Sequence, residues 1–486
     1  MTSMPESVVM SDMAASYVAG KWVTGTAVDT VDVRSPTTGE LLGAVGVAGV
    51  DEVDAAVSAA RGALPAWAST SPADRGAALG RLADALSARK GELADLTTAE
   101  IGSPRSWSTF GQVITAVGVL KAYAAITPDH PFCATRPSMT GGTVQVRQVP
   151  VGVVGAIVPW NTPLFIAALK LGPALAAGCT VVLKPAPDAP LEFGVLMEAV
   201  EEAGIPDGVI NVVNGGAATG ELLTEHPGVD KISFTGSTAV GARIAAACGS
   251  RIRRCSLELG GKSAAIVLAD AVLEKTVPGL VGGVVGNNGQ LCAALTRILL
   301  PRSRYGEFVD ALTTAFAALK VGDPADRATD VGPVINETAR DRVEGFLERA
   351  RDEGATVLTG GERPDLKGWF VAPTLVEATN EMEIAREEVF GPVAVVIAYD
   401  DAGGDVAEAV SIANDSRYGL VGAVWSADSG RATAVASQLQ VGSVAVNSTA
   451  VLDFGSPFGG FKQSGIGREG GPEGIAGFIE HQAIIS

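Results

Sequence analysis

Val151-Gly152-Val153-Val154-Gly155-Ala156-Ile157-Val158-Pro159-Trp160-Asn161-Thr162-Pro163 is the stretch whose reading decides the fold. An apolar run rich in β-branched residues reads as a strand, and Pro163 suits the first turn of a helix that continues through Leu164 to Ala177. Further apolar runs follow at Thr180 to Leu183, Val209 to Val213 and Lys231 to Phe234. Helical patterns separate them at Leu191 to Ala203 and Thr238 to Ala247. Strand and helix in alternation mean a parallel, doubly wound sheet.

Working outward, a second alternating series begins near Ser263 and runs through Thr296 to Leu300, Ala355 to Leu358, Val393 to Tyr399, Gly422 to Trp425 and Ser443 to Asn447. The join falls near Gly260-Gly261. Toward the N-terminus, β-type runs at Tyr17 to Val23 and Val28 to Arg34 precede helical stretches at Asp51 to Leu64 and Pro72 to Ile101. In the latter, Leu79, Leu82, Leu86, Leu93 and Leu96 recur with helical spacing, the stripe of a packed scaffold. The segment Ala134 to Gln148 reads as a polar β-excursion and Phe478 to Ser486 as an apolar strand that joins either a neighbouring subunit or a sheet edge. These boundaries divide the chain into a first domain of residues 1–131 and 149–260, a second of 261–460, and bridging segments at 132–148 and 470–486.

A chain of 486 residues with 47% hydrophobic content has room for two large cores. The 36 basic against 54 acidic residues give a net charge of −18, which argues against nucleic-acid and anionic-membrane partners. No basic stretch followed by an apolar run opens the sequence, and the apolar strands are too short to span a bilayer, so a cytoplasmic address is the expectation. Five cysteines without paired spacing speak against a disulfide scaffold or a Cys-x-x-Cys metal site, and three scattered histidines leave little material for a His metal site or a catalytic triad.

Gly465-Ile466-Gly467-Arg468-Glu469-Gly470 spells a dinucleotide fingerprint, but that motif needs a strand before it and an acidic residue about twenty positions on, and here a loop precedes it and the chain ends soon afterwards. Gly261-Lys262-Ser263 resembles the end of a phosphate loop, but Ser256 occupies the place of its leading glycine. Phe234-Thr235-Gly236-Ser237-Thr238-Ala239-Val240-Gly241 follows a strand and opens a helix, which suits either a pyrophosphate site or an ordinary Ser/Thr cap. Cys292 ends the small polar run Asn287-Asn288-Gly289-Gln290-Leu291, a loop able to approach a ligand, although a free cysteine also serves as a small buried hydrophobe. Glu258, between two leucines near the domain join, is either ion-paired with Lys262 or an arginine, or raised in pKa for general-base work. Asn161 stands where strands of this type present ligands, or caps a helix.

In this order, Pro159 to Leu164, Lys170-Leu171-Gly172-Pro173-Ala174-Leu175, Lys184-Pro185-Ala186, Phe234 to Thr238, Leu257-Glu258-Leu259-Gly260-Gly261-Lys262-Ser263, Gly289 to Cys292, Glu387-Glu388-Val389-Phe390-Gly391-Pro392 and Pro457 to Gly465 resemble the aldehyde dehydrogenase superfamily over nearly the whole chain. The resemblance implies an α/β fold with a Rossmann-like cofactor domain, a catalytic domain and a small β excursion for oligomerisation. It implies Cys292 as nucleophile, Asn161 with the Cys292 N–H as oxyanion donors, and Glu258 as the base that activates water. Lys170 either tunes that proton transfer, lies at the surface or makes an ion pair. An electropositive setting is expected for Cys292, since a thiol of pKa about 8.5 is only a few per cent ionised at pH 7.

For the cofactor, NAD or else NADP, the resemblance implies contacts from Trp160, Lys184, Gly236, Ser237, Thr238, Gly241, Leu259, Glu388 and Phe390. Where many members carry a glutamate three residues after the lysine, Pro187 stands here and Asp188 follows, a carboxylate that disfavours a 2′-phosphate. The positions resembling the substrate tunnel, Thr162, Ile166, Leu169, Leu291, Val451, Leu452 and Phe458, include no cation, so the expected substrate is an apolar aliphatic, terpenoid or aromatic aldehyde. A homodimer or homotetramer is expected, with no metal. The rival readings are a CoA-acylating relative, for which Glu258 is superfluous, a cysteine hydrolase without a nearby histidine, and a non-catalytic protein on the same fold.

Overall fold

The structure, a computed structural model, describes residues 14–24 and 29–486. Val28, the first residue of one expected strand, lies outside them. Two sheets dominate the fold. In the first, the parallel strands stand in the order Ile210–Val213, Thr180–Lys184, Val153–Ile157, Lys231–Thr235, Arg254–Glu258. Numbered along the chain this is 3-2-1-4-5, so the winding reverses between Val153–Ile157 and Lys231–Thr235. A crevice opens at such a reversal, beyond the carboxyl ends of the strands. Gly236-Ser237 follows the second of these strands, and Asn161 lies just past the first, after Val158-Pro159-Trp160.

Every residue of the four inner strands is buried, and helices cover both faces. The second sheet runs Thr356–Thr359, Thr374–Glu377, Val393–Tyr399, Arg297–Pro301, Ala264–Val267, Val421–Trp425, Ser443–Val446, with only the first strand antiparallel. Each of its faces has its own apolar core.

Three elements differ from the sequence reading, and the C-terminal strand takes one of its two alternatives, a sheet edge. Tyr17 to Val23 is a hairpin of two strands, Ala14–Val18 and Lys21–Thr24, because Ala19 and Gly20 turn the chain at φ 48° and 82°. The helix expected over Pro72 to Ile101 breaks at Arg89, whose ψ of 12° interrupts it and whose guanidinium pairs with Glu202 at 2.6 Å. Ile479–Ile485 pairs with Thr143–Pro150 of its own chain, forming a three-stranded sheet with Cys133–Pro137. The strand Gly465–Ile466 leaves the second domain and pairs antiparallel with Leu257 and Glu258.

The helical stretch Arg105–Asp129 is long and apolar enough to cross a membrane by composition. Its Val113, Ala116, Val119, Leu120 and Tyr123 are buried in the first domain's core. Residues 108–114 of it form a π-helical turn, a wider winding that shifts every later side chain around the axis.

Candidate functional site

The nucleophile candidate sits in a loop with unusual backbone. Asn287, Asn288 and Gly289 take φ of 50°, 59° and 75° in succession, a left-handed run tolerated only by residues of this kind. A Cβ on Gly289 would lie 2.1 Å from the Gly391 carbonyl oxygen, so the loop rests directly on the Phe390-Gly391-Pro392 turn. Side-chain amides fasten the loop. Asn288 donates to the carbonyls of Gly102 and Pro333, both at 2.8 Å, and accepts from the Gly332 N–H at 2.7 Å. Gln290 accepts from the Ile335 N–H at 2.9 Å.

Cys292 therefore projects into a cleft of about 270 Å³ between the two sheets. The same cleft is walled by Trp160, Asn161, Thr162, Ile166, Gly236, Ser237, Glu258, Leu259, Glu388 and Phe390 of the expected residues, and by Arg342, which was not expected.

Asn161 is held from two sides. Its backbone carbonyl accepts from Gln112 at 2.9 Å and Asn287 at 2.8 Å, and its amide donates to the Gln290 carbonyl at 2.8 Å. One amide N–H is thereby used for aim, and the second is left without a partner in these bonds. Thr162, not Asn161, occupies the cap position of helix Pro163–Ala177.

Glu258 makes no ion pair among the described residues, with Lys262 or any other cation, and neither carboxylate oxygen has a close hydrogen-bond partner, the Gly460 N–H acting on it only as a minor influence. Burial, then the nearby charge of Glu469, raises its pKa well above the ordinary carboxylate range, with Lys170 and Arg468 pulling the other way. Lys170, far from the surface, forms a fully buried ion pair with Glu469 at 2.7 Å and donates to Ser233 at 3.2 Å. Glu469 was missed in the sequence because it lies inside the glycine-rich run dismissed as a false fingerprint. The Gly465–Ile466 strand and the paired backbone bonds between Phe458 and Glu469 carry it to this place.

The charge setting of Cys292 is the reverse of the expected one. Burial, then the acidic Glu388 and Glu258, push its thiol up to about 12. Below that value the thiolate fraction grows tenfold per pH unit, so iodoacetamide alkylation of Cys292 in the ligand-free protein should be slow at pH 7 and rise about tenfold per unit toward pH 10. A rate already flat at pH 7 would show that the thiolate is formed without help.

The cofactor candidates fall in two groups. Near Cys292, Glu388 accepts from the Gly261 N–H at 3.0 Å, burial raising its carboxyl to about 7, while Arg342 donates to the Glu388 carbonyl at 2.7 Å. Phe390, held at φ 63°, meets Trp160 edge to face with ring centres 5.5 Å apart. Farther along, Ser237 caps helix Thr238–Ser250 by accepting from the Val240 N–H at 3.4 Å, so the ordinary capping role is real. The helix lies close on the sheet, since a Cβ on Gly241 would come within 2.5 Å of Leu259. Lys184, whose burial lowers it to about 8, donates to the carbonyls of Pro185 and Gly215 at 2.6 and 2.7 Å. Asp188 accepts from Asn336 of the second domain at 3.0 Å.

Of the expected tunnel positions, Thr162 and Ile166 line the cleft. Val451, Leu452 and Phe458 pack in the same apolar cluster as Cys292. Leu291 is half-buried beside Cys292. Leu169 lies wholly in the first domain's core, because its helix turns that face inward.

The Aldehyde dehydrogenase family model matches residues 22–484. Geranial dehydrogenase of Castellaniella defragrans is 44% identical, covering 96% of this chain and 98% of that enzyme. The 3-succinoylsemialdehyde-pyridine dehydrogenase of a Pseudomonas species is 41% identical, over 98% and 99%. The crystal structure of Mycobacterium tuberculosis aldehyde dehydrogenase complexed with NAD+ superposes with a TM-score of 0.95 at 43% identity, covering 98% of each chain. With the cleft, its cysteine and the two wound sheets in place, these matches show that the chain belongs to the aldehyde dehydrogenase family.

Proposed function

We propose that this protein oxidises an apolar aldehyde to the carboxylic acid with NAD, through an acyl group carried on Cys292. The observation that carries the reading is a single cleft in which Cys292, the Asn161 amide and the unpartnered Glu258 carboxyl come together.

The Cys292 sulfur adds to the aldehyde carbon, and the oxygen takes up negative charge opposite the free Asn161 N–H and the Cys292 backbone N–H. A hydrogen bond that strengthens as charge develops lowers the barrier. Bound nicotinamide dinucleotide supplies the acceptor for the aldehyde's hydride. The residues fit such a group. The helix opened by Ser237 presents N–H donors for a pyrophosphate, Lys184 stands ready for a ribose, and Glu388 with Phe390 borders the other end. Asp188 favours NAD over NADP by like-charge repulsion of a 2′-phosphate.

Glu258 then takes a proton from water attacking the thioester, a task suited to a carboxyl whose basicity burial has raised above the ordinary carboxylate range. The Lys170–Glu469 pair sits beside it as the group through which that proton leaves. Water as acyl acceptor sets the reading apart from CoA acylation. Acid formed by purified protein without CoA tests it.

Asn161→Ala is expected to lower kcat about 10²- to 10³-fold with a smaller change in KM, as for loss of one oxyanion donor. Equal loss in KM alone would assign Asn161 to ground-state binding. No Arg or Lys occupies the expected tunnel positions Thr162, Ile166, Leu169, Leu291, Val451, Leu452 and Phe458, and a relative bears the name geranial dehydrogenase. Citral or hexanal should therefore exceed succinate semialdehyde in kcat/KM; the opposite order would refute the apolar assignment.

The three-stranded sheet that carries exposed Ile484 and Ile485 at its end fits a second copy of the chain, giving a homodimer or homotetramer. The cell compartment proposed is the cytoplasm.

A further inference from the structure

Two thiols that the reaction above leaves unused lie on the opposite side of the first sheet from the Lys170–Glu469 pair. Helix Thr238–Ser250 buries Gly241, Ile244 and Cys248, a spacing of three and four that turns this stripe toward the sheet. In the adjoining strand, the Ser256 hydroxyl bonds Ser233 on the Lys170 side. Side chains alternate along a strand, so Cys255 points the other way, toward the helix.

There Cys248 is buried in one apolar cluster with Ile232 and Ile244, and Cys255 packs against the same cluster. The connecting turn doubles back on itself, the N–H groups of Arg251 and Arg253 both donating to the Cys248 carbonyl, at 3.1 and 2.9 Å. The two thiols are unequal. Cys248 is 1% exposed, whereas Cys255 reaches solvent. The contact with Cys248, and then the Lys231 ammonium, pull the Cys255 thiol down to about 7, while the same contact and burial push Cys248 up. An accessible thiolate beside a buried resolving thiol is the arrangement that oxidises selectively.

We propose that Cys248 and Cys255 are a hydroperoxide-responsive dithiol that closes to a disulfide. The Cys255 sulfur attacks the hydroperoxide, an S–O bond forming as the O–O bond breaks and an alcohol or water leaves. The Cys248 sulfur then attacks the Cys255 sulfenic acid, forming the S–S bond and releasing water with the Cys248 proton. In sum, two thiols and one hydroperoxide give one disulfide, one alcohol or water, and one further water. The closed form ties the last turn of the helix that Ser237 opens to the strand that ends in Glu258.

The test uses Cys292→Ser protein, which keeps four of the five cysteines. Brief hydrogen peroxide treatment is expected to lower the thiol count of the denatured protein from four to two, to yield a non-reduced peptide joining Cys248 to Cys255, and to be reversed by dithiothreitol. Adding Cys248→Ser should leave Cys255 as a sulfenic acid that dimedone labels. A count that stays at four, or a bridge to Cys133 or Cys179 with Cys248 and Cys255 both free, overturns the proposal. Because Cys292 is absent from the protein tested, this outcome is independent of the aldehyde chemistry.

Discussion

Cys292→Ala should lower kcat roughly 10⁴-fold or more while dinucleotide binding is retained, because the acyl carrier is gone but the walls of the cofactor cleft are not. The substitution removes one sulfur from a half-buried position, and the loop around it is fastened by Asn288 and Gln290. Loss of fold therefore does not account for the loss of rate. Dinucleotide affinity, read by quenching of protein fluorescence, is the control. Turnover near the unaltered level would mean that the chemistry does not pass through Cys292.

Glu258→Gln separates the two halves of the reaction. The glutamine keeps the shape and removes the base, so hydrolysis should slow by about 10²- to 10⁴-fold, the usual span for a positioned general base. Acylation should survive, giving a rapid burst of reduced dinucleotide approaching one equivalent per subunit before a slow steady rate. There is a second, opposite effect. Glu258 is one of the two acidic groups that hold the Cys292 thiol up at about 12. Removing that charge lowers the thiol's pKa, so at pH values where Glu258 is ionised alkylation of Cys292 should be faster in the variant. A variant with neither burst nor faster alkylation would place Glu258 outside the chemistry.

The architecture was readable because the inner strands are apolar on both faces. Val153–Ile157 and Thr180–Lys184 announce themselves by composition, and the helices between them by periodicity. Where the pattern depends on a turn rather than on burial, it misled. Tyr17 to Val23 looks continuous, yet Ala19 and Gly20 fold it back. The π-turn at residues 108–114 leaves no mark, since one extra residue per turn is invisible in composition, yet it accompanies the placing of Gln112 on the Asn161 carbonyl.

The residues gathered at the cleft were legible for the same reason as the strands. Glu258 ends a strand of the first sheet, and Ser237 and Asn161 lie in the short segments that leave two others, so the wound topology itself brings them to one crevice. Long-range partners were not legible. Nothing local links Lys170 to Glu469, 299 positions away, and only the return of the Gly465–Ile466 strand to the first sheet joins them. The same holds for the charge around Cys292. Glu388 arrives from the second domain, and its sign reverses the electropositive setting that the thiol's chemistry had suggested.

The most direct test is to mix Glu258→Gln protein with NAD and a saturating apolar aldehyde, quench in acid within the burst, and map the covalent adduct by mass spectrometry. The expected result is one acyl group, of the aldehyde's mass less one hydrogen, on the peptide containing Cys292. An adduct on another side chain, or none while reduced dinucleotide accumulates, would contradict the account.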